Sequence, residues 1–191
     1  MHFWTAGRSL PLPDINGFVL PVATPLEDVV LVDSAGQPFT SRDFTGHWSF
    51  LYFGYTYCPD VCPLALLELG SLKEALAKQA PGLAAEYYFV SVDPGRDTPE
   101  RLREYVTYFD PAFRGLTGEP ERLASFAQAV GAIYFVAPGQ DAEGYLVSHT
   151  SNITLLDPVG RLHAVFTAPH TPGQLAGDFA KILARYQSLA D

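Results

Sequence analysis

The chain of 191 residues contains two cysteines, Cys58 and Cys62, which are separated by three residues. On a helix, Cα atoms four positions apart lie about 6 Å from each other, and a disulfide can bridge that distance. The two sulfurs can therefore bond to each other or bind one soft metal ion. A bridge across so short a loop would contribute only about 2 kcal/mol through loop closure. The spacing thus favours a reactive dithiol or a metal site over a purely structural disulfide.

The sequence around the cysteines predicts a strand, a loop and then a helix. Residues 48–53 are almost all apolar or aromatic, which is typical of a central strand covered on both faces. Leucines at spacings of three and four predict a helix over residues 66–76. Gly54 is expected to let the chain leave the strand sharply. If Cys62 falls in the first turn of the helix, free N–H groups and the helix dipole favour its thiolate.

A metal bound by two thiolates needs a further ligand, and the chain offers five histidines: His2, His47, His149, His163 and His170. His149 lies in a polar stretch just before a predicted strand over 153–156, where a loop could reach the cysteines. His47 stands at the start of the 48–53 strand, at the opposite end of the sheet. Spacing alone makes His149 the first candidate and leaves open both another histidine and no histidine ligand at all.

The remaining pattern predicts a single α/β sheet. A hairpin over 29–40 precedes the central strand, a second buried strand covers 87–92, and an antiparallel hairpin covers 153–166, with further helices between and after them. A right-handed crossover makes the two buried strands parallel. We expect a mixed central sheet with helices on both faces, a thioredoxin-like arrangement with an added N-terminal hairpin. Residues 1–25 are predicted to form an extended N-terminal arm, and residues 26–191 a single thioredoxin-like domain.

The charge and the apolar content of the chain limit the kinds of ligand that we expect it to bind. The chain has 12 Lys and Arg residues against 21 Asp and Glu residues, a net charge of −9. Because phosphate contacts normally require Lys or Arg, we expect no nucleic acid and no anionic membrane surface as a ligand. No stretch of about 20 apolar residues occurs that could span a bilayer. An apolar share of 48% is enough for a core that folds without disulfides or a structural metal.

Three blocks of sequence resemble the Sco/SenC family of copper-binding proteins. They are FGYTYCPDVCP at 53–63, VSVDPGRDTPE at 90–100, and His149-Thr150 ahead of LLDPVG at 155–160. The resemblance runs from about residue 26 to residue 187. It implies a thioredoxin-like fold, a periplasmic or other extracytoplasmic location behind an N-terminal membrane anchor, and a role in assembling the dinuclear copper centre of cytochrome c oxidase.

The resemblance also implies a ligand set and partners. The resemblance implies that Cys58, Cys62 and His149 are the copper ligands. The implied cofactor is Cu(I) or Cu(II), because thiolates suit Cu(I) and imidazole suits both oxidation states. The implied partners are the copper-accepting subunit of cytochrome c oxidase and either another periplasmic copper carrier or a thioredoxin-like reductant. Many members have an aspartate directly before the histidine. This chain has Ser148 there, which removes one acceptor for the imidazole N–H.

Two enzymatic alternatives stay open beside the copper chaperone. The same dithiol can be oxidised to a disulfide, so Cys58 and Cys62 would be the catalytic pair of a thiol-disulfide oxidoreductase that reduces cysteines of an extracytoplasmic target. Such an enzyme needs no His149. A peroxidase would use a single reactive thiolate beside an arginine, and a pair of cysteines fits that chemistry less well.

Two groups near the cysteines allow more than one interpretation. Asp93, Arg96 and Asp97 follow the second buried strand, on the same edge of the sheet as the cysteines. They form either an internal salt bridge with a helix cap, or a loop that supports the cysteine site or docks a partner. Tyr55, Tyr57 and Asp60 flank the cysteines and belong either to the core or to a docking rim.

Overall fold

The computed structural model describes residues 10–27, 29–136, 145–171 and 173–190. The strands of these ranges are β1 (Gly17–Pro25), β2 (Val30–Asp33), β3 (Pro38–Thr40), β4 (Trp48–Gly54), β5 (Ala85–Ser91), β6 (Arg114–Thr117), β7 (Tyr134–Val136), β8 (Val147–His149), β9 (Ile153–Leu156) and β10 (Arg161–Phe166). The helices are α1 (Val61–Gln79), α2 (Pro99–Phe109), α3 (Pro120–Ala129) and α4 (Gln174–Ala190), and a 3-10 turn covers Ser41–Phe44. None of these described helices is both long enough and apolar enough to cross a membrane.

Eight strands form one mixed sheet in the order β1-β10-β9-β4-β5-β6-β2-β3. β4, β5 and β6 are parallel to one another, and the outer strands are antiparallel to their neighbours. Every residue of β4 is buried, as expected for a central strand. The sequence pattern did not reveal β6, nor β7 and β8, which pair as a separate two-stranded ribbon.

Helices cover both faces of the sheet. The ring of Phe50 on β4 lies 5.1 Å from that of Phe179 on α4, whereas the ring of Phe53 lies 5.6 Å from that of Phe126 on α3. Because side chains three apart on a strand point to opposite faces, α4 and α3 lie on opposite sides. α1 packs against α4 and α2. The thioredoxin-like α/β fold predicted from the sequence is therefore confirmed.

The sheet brings two loops to one edge. β4 and β5 are parallel, so the cysteine loop that follows β4 and the loop over 92–98 that follows β5 leave at the same end. The N–H of Val92 donates to the carbonyl of Gly54, which continues the pairing into the loops. At the far edge β1, in the segment predicted as an arm, pairs with β10. Residues 1–9 lie outside the described ranges, and the domain boundary at residue 25 stays a prediction.

Asp157 fixes the turn between β9 and β10. Its carboxylate accepts the N–H groups of Val159 and Arg161 and the Nε–H of Arg161, at 2.9 to 3.1 Å. Asp157 is fully buried. Burial by itself disfavours the charge, but the His163 and Arg161 side chains and the Arg161 N–H outweigh it and lower the pKa of Asp157 to about 2.

We predict that Asp157 makes stability depend on pH in the acid range. A carboxyl with a lowered pKa stabilises the fold above its ordinary pKa of 3.8, and this contribution disappears as the pH falls through about 2. Asp157→Asn should therefore lower the free energy of unfolding by about 2 kcal/mol more at pH 5 than at pH 2. Urea unfolding of both proteins across this range measures the difference, and a constant difference would contradict the prediction.

Candidate metal centre

The loop between β4 and α1 carries both cysteines. α1 begins at Val61, so Cys62 lies in its first turn, as the spacing predicts. Cys58 precedes the helix, and its N–H donates to the carbonyl of Tyr55 at 3.1 Å. The two cysteines are free thiols; Cys62 is fully buried and Cys58 is 8% exposed. Both cysteines are therefore buried, and Cys58 keeps the slight exposure that Cys62 lacks.

The buried carboxylate of Asp97 anchors this loop. It accepts hydrogen bonds from the N–H and Oγ–H of Thr56, at 3.0 and 2.6 Å, and from the Oγ–H of Ser91 at 2.6 Å. Burial raises the pKa of Asp97, and these three hydrogen bonds oppose that shift. The Nε–H of Arg101 in turn donates to Thr56 Oγ. The cysteine loop is therefore tied to the end of β5 and to the first turn of α2.

Gly54 makes room for the buried sulfur. A Cβ at this position would lie 2.6 Å from Cys62 Sγ and 3.0 Å from the ring of Phe89. Gly54 is not among the glycines with positive φ. The expectation that Gly54 lets the chain leave the strand sharply therefore finds no support in a positive φ. The residue is small because a sulfur packs directly on its backbone.

His149 reaches the sulfurs from the β7–β8 ribbon. Its Nε2 lies 3.4 Å from Cys62 Sγ, and its Nδ1 lies 3.1 Å from the carbonyl oxygen of Thr150. A carbonyl oxygen can only accept, so Nδ1 carries the proton and the lone pair of Nε2 faces the sulfur. The Thr150 carbonyl therefore orients the ring. It supplies the hydrogen-bond acceptor that an aspartate in place of Ser148 would have offered. Ser148 itself is exposed.

Two tyrosines enclose the imidazole ring. The rings of Tyr52 and Tyr55 each meet the His149 ring edge to face, with ring centres 6.0 Å apart. Both tyrosines are buried. Tyr55 therefore belongs to the wall of the site and not to an exposed rim. Tyr57, which is 47% exposed, and Asp60 remain at the surface beside Cys58.

The three donor atoms can share one ion. The two sulfurs and a nitrogen of His149 lie within 4.8 Å of one another, and the described part of the chain holds no other such cluster of His, Cys, Asp and Glu. An ion with bonds of roughly 2.0 to 2.3 Å to nitrogen and sulfur joins donors about 3.5 to 4.5 Å apart. Two soft sulfurs and one imidazole suit copper or zinc and not magnesium or calcium.

The other histidines have different surroundings. His47 Nε2 lies 3.1 Å from the Tyr88 hydroxyl, far along β4 from the cysteines. The His163 ring packs between aromatic rings in the core, and His170 Nε2 lies 3.0 Å from the carbonyl oxygen of Ser151. His2 lies outside the described residues. Of the four described histidines, the structure brings His149 to the cysteines.

The two thiols differ in acidity. A hydrogen bond from the Cys62 thiol, with further help from the N–H groups of Asp60 and Cys62, lowers the pKa of Cys58 to about 4 against the opposing effect of burial. Donating that hydrogen bond, together with burial, raises the pKa of Cys62. The sequence pattern favours the thiolate at Cys62. This prediction was wrong because the buried Cys62 thiol donates its hydrogen bond to Cys58, and the N–H groups of Asp60 and Cys62 also point to the Cys58 sulfur.

The loop after β5 contains the internal salt bridge and the helix cap that formed the first of the two interpretations offered for Asp93, Arg96 and Asp97. Arg96 Nε donates to Asp93 at 2.5 Å, and the Thr98 side chain accepts the N–H of Arg101 at the start of α2. Arg96 also contacts residues that flank the metal centre. The loop therefore combines structural bonds with contacts to the site.

The domain has a thioredoxin-like fold and holds two thiols and an imidazole at one edge of its sheet. This arrangement is that of a metal-binding protein with a thioredoxin fold. The chain belongs to the SCO1/SenC family, whose model matches residues 25–184. Both the fold and the family predicted from the sequence are confirmed.

Individual relatives agree with this assignment. A "putative copper-binding protein" of Stutzerimonas stutzeri is 36% identical over 85% of this chain and 78% of its own length. The mitochondrial SCO2 homologue of Bos taurus is 33% identical over 85% of this chain and 61% of its own. The chain spans 46 to 64% of the mitochondrial SCO1 and SCO2 relatives that it matches.

A solved structure shows the same fold. The crystal structure of Arabidopsis thaliana ScoI with copper bound aligns with a TM-score of 0.78 at 32% identity. The alignment covers 84% of this chain and 98% of that one.

We predict that Gly54→Ala damages the site, whereas Gly70→Ala does not. The added methyl group at Gly54 meets Cys62 Sγ and the Phe89 ring, so we expect a loss of about 1 to 3 kcal/mol in the free energy of unfolding and weaker Cu(I) binding. Gly70 lies in α1 with open space around it, and alanine there should stabilise by up to about 1 kcal/mol. Urea unfolding and Cu(I) competition measure both; unchanged Cu(I) binding in Gly54→Ala would contradict the assigned role.

Proposed function

We propose that this protein is a copper chaperone that carries copper as cargo between Cys58, Cys62 and His149. The observation that carries the proposal is the meeting of two sulfurs and one imidazole nitrogen within 4.8 Å. Each donor comes from a different place in the chain: the loop, the first turn of α1 and the end of β8. The relatives named as copper-binding and the copper-bound ScoI structure support copper as the ion.

The donor set suits an ion that must be released. Two thiolates bind Cu(I) strongly, and the imidazole is acceptable to Cu(I) and Cu(II). Two thiolates with Cu(I) leave one negative charge, whereas with Cu(II) the site is neutral. The lowered pKa of Cys58 supplies one thiolate near neutral pH without a proton first being removed. A site of this kind can accept and release its cargo at little cost in protein rearrangement.

We place the delivery outside the cytoplasm. Membership of the SCO1/SenC family supports a role in assembling cytochrome c oxidase, so the proposed acceptor is the copper-accepting subunit of that oxidase, with its dinuclear copper centre. A periplasmic location behind an inner-membrane anchor follows from the same resemblance. Another periplasmic copper carrier would supply the ion, and a thioredoxin-like reductant would keep the two cysteines reduced.

A thiol-disulfide oxidoreductase fits the site less well. Thiol exchange requires the two sulfurs but not a nitrogen 3.4 Å from Cys62 Sγ whose tautomer is fixed by a backbone carbonyl. Both features of His149 serve a metal ligand. The reductase hypothesis therefore gives His149 no role, whereas the chaperone hypothesis assigns a role to Cys58, Cys62 and His149.

We predict that the reduced protein binds one Cu(I) ion in an anaerobic titration. His149→Ala should weaken binding by roughly tenfold or more, the size of loss that follows even from removing groups that support metal ligands. The double variant Cys58→Ser with Cys62→Ser should not bind Cu(I) in competition with a chelator. His47→Ala is the matched control, because His47 lies at the other end of β4 and should not affect binding.

Two results would contradict the chaperone proposal. Undiminished loading of the double serine variant would remove the cysteines from the site. A His149→Ala variant that binds Cu(I) normally and still supports oxidase assembly would favour the reductase instead.

Oxidation of the dithiol should abolish copper binding. A disulfide between Cys58 and Cys62 uses both sulfurs that bind the ion, so protein treated with diamide should bind no Cu(I), and dithiothreitol should restore binding. Thiol titration and Cu(I) competition on the same samples measure this. Retained binding in fully oxidised protein would show that the ion sits elsewhere.

A further inference from the structure

The guanidinium of Arg96 lies in a cage of tyrosine rings beside the metal centre. Its Cζ is 3.6 Å from the centre of the Tyr145 ring, 4.8 Å from that of Tyr57 and 5.6 Å from that of Tyr55. One terminal nitrogen donates to the backbone carbonyl of Tyr145 at 3.0 Å, while Nε donates to Asp93. The side chain is 12% exposed. So closely packed an arginine contributes both cation–π and charge-assisted hydrogen bonds.

These contacts join the segments that carry the proposed ligands. Tyr55 and Tyr57 belong to the cysteine loop, and Arg96 belongs to the loop after β5. Tyr145 stands four residues before His149 and leads directly into β8. The Tyr145 hydroxyl donates to the second oxygen of Asp93 at 2.5 Å, which closes a ring of contacts. Arg96 therefore holds the segment that leads to His149 against the cysteine loop.

The histidine segment belongs to a short ribbon that lies outside the main sheet. β8 is three residues long and pairs with β7, also of three residues, outside the eight-stranded sheet. Asp93 is buried and lies at the end of the central β5 strand. The contacts of Tyr145 with Arg96 and with Asp93 thus connect the short ribbon to the loop that follows β5. Lysine could replace the charge but not the planar fork that stacks on Tyr145 and donates in two directions.

We propose that Arg96 is a positioning residue for copper, which places His149 Nε2 at the sulfurs before the ion arrives. The inference rests on the proposed function, because it assigns His149 as a ligand. It gives the arginine of the VSVDPGRDTPE block a role beyond an internal salt bridge. Without Arg96 the two cysteines would still bind the ion, and the histidine would join them less often.

Copper binding tests the inference through a double-mutant cycle. Arg96→Met should weaken Cu(I) binding by roughly tenfold, as for other groups that orient a metal ligand, and in the Cu(II) protein it should weaken the nitrogen hyperfine signal while the sulfur-to-copper band persists. In a His149→Ala background the same change should have less than a roughly twofold effect, because its target is already gone. Equal effects in both backgrounds would overturn the inference.

Three further variants separate positioning from general damage. Tyr145→Leu removes the stacked ring but keeps the bridge from Arg96 to Asp93, and it should give the same loss as Arg96→Met. Arg96→Lys should not restore binding; full restoration would show that charge alone suffices and would overturn the role of the stacked fork. Arg103→Met, at an exposed position of α2, is the matched control and should bind copper normally.

A copper-free measurement distinguishes failure of this inference from failure of the proposed function. The N–H of Thr150 donates to the carbonyl of Ile133 across the ribbon, and Arg96→Met should speed its hydrogen exchange by roughly tenfold in the metal-free protein. Unchanged exchange would overturn the inference. A different result would separate the two proposals: the wild-type protein does not bind Cu(I), but Arg96→Met still speeds the exchange of the Thr150 N–H. This result would contradict the chaperone proposal, whereas the role of Arg96 in holding the His149 segment would stand.

Discussion

The buried carboxylate of Asp97 fixes where the cysteine loop can lie, and the rest of the site is built on that position. Its three hydrogen bonds join Thr56 in the loop to Ser91 at the end of β5. A buried charge is costly unless hydrogen bonds satisfy it, so the loop and the strand end must stay together. The parallel pairing of β4 and β5 supplies the scaffold, and Asp97 converts it into a defined place for two sulfurs.

Much of this arrangement could be predicted from the sequence. The apolar run of β4 and the leucine spacing of α1 placed the cysteine loop at a strand end, and the structure has the same order. The polar stretch before β9 and the resemblance together led to His149. These predictions succeeded because they depend on local periodicity and on motif residues, which a single sequence displays.

The remaining features depend on contacts between distant segments. β7 and β8 are three residues each, with alternation too short to reveal a strand. The reason for Gly54 is a sulfur eight residues away in sequence and 2.6 Å from its missing Cβ. The lowered pKa of Cys58 depends on the hydrogen bond from the Cys62 thiol and on the direction of the N–H groups at the start of α1. None of these can be read from residue type and spacing, because each is a matter of three-dimensional approach.

The unequal exposure of the two sulfurs gives ligand exchange a direction. Cys62 is fully buried, whereas Cys58 is 8% exposed and His149 is half-buried. In the proposed copper transfer, a thiolate of the acceptor would approach from the side of Cys58 and His149 and would displace one of these two ligands first. Cys62 would then be the last protein ligand to dissociate. Burial of Cys62 would thus keep a partly transferred ion attached until the acceptor holds it.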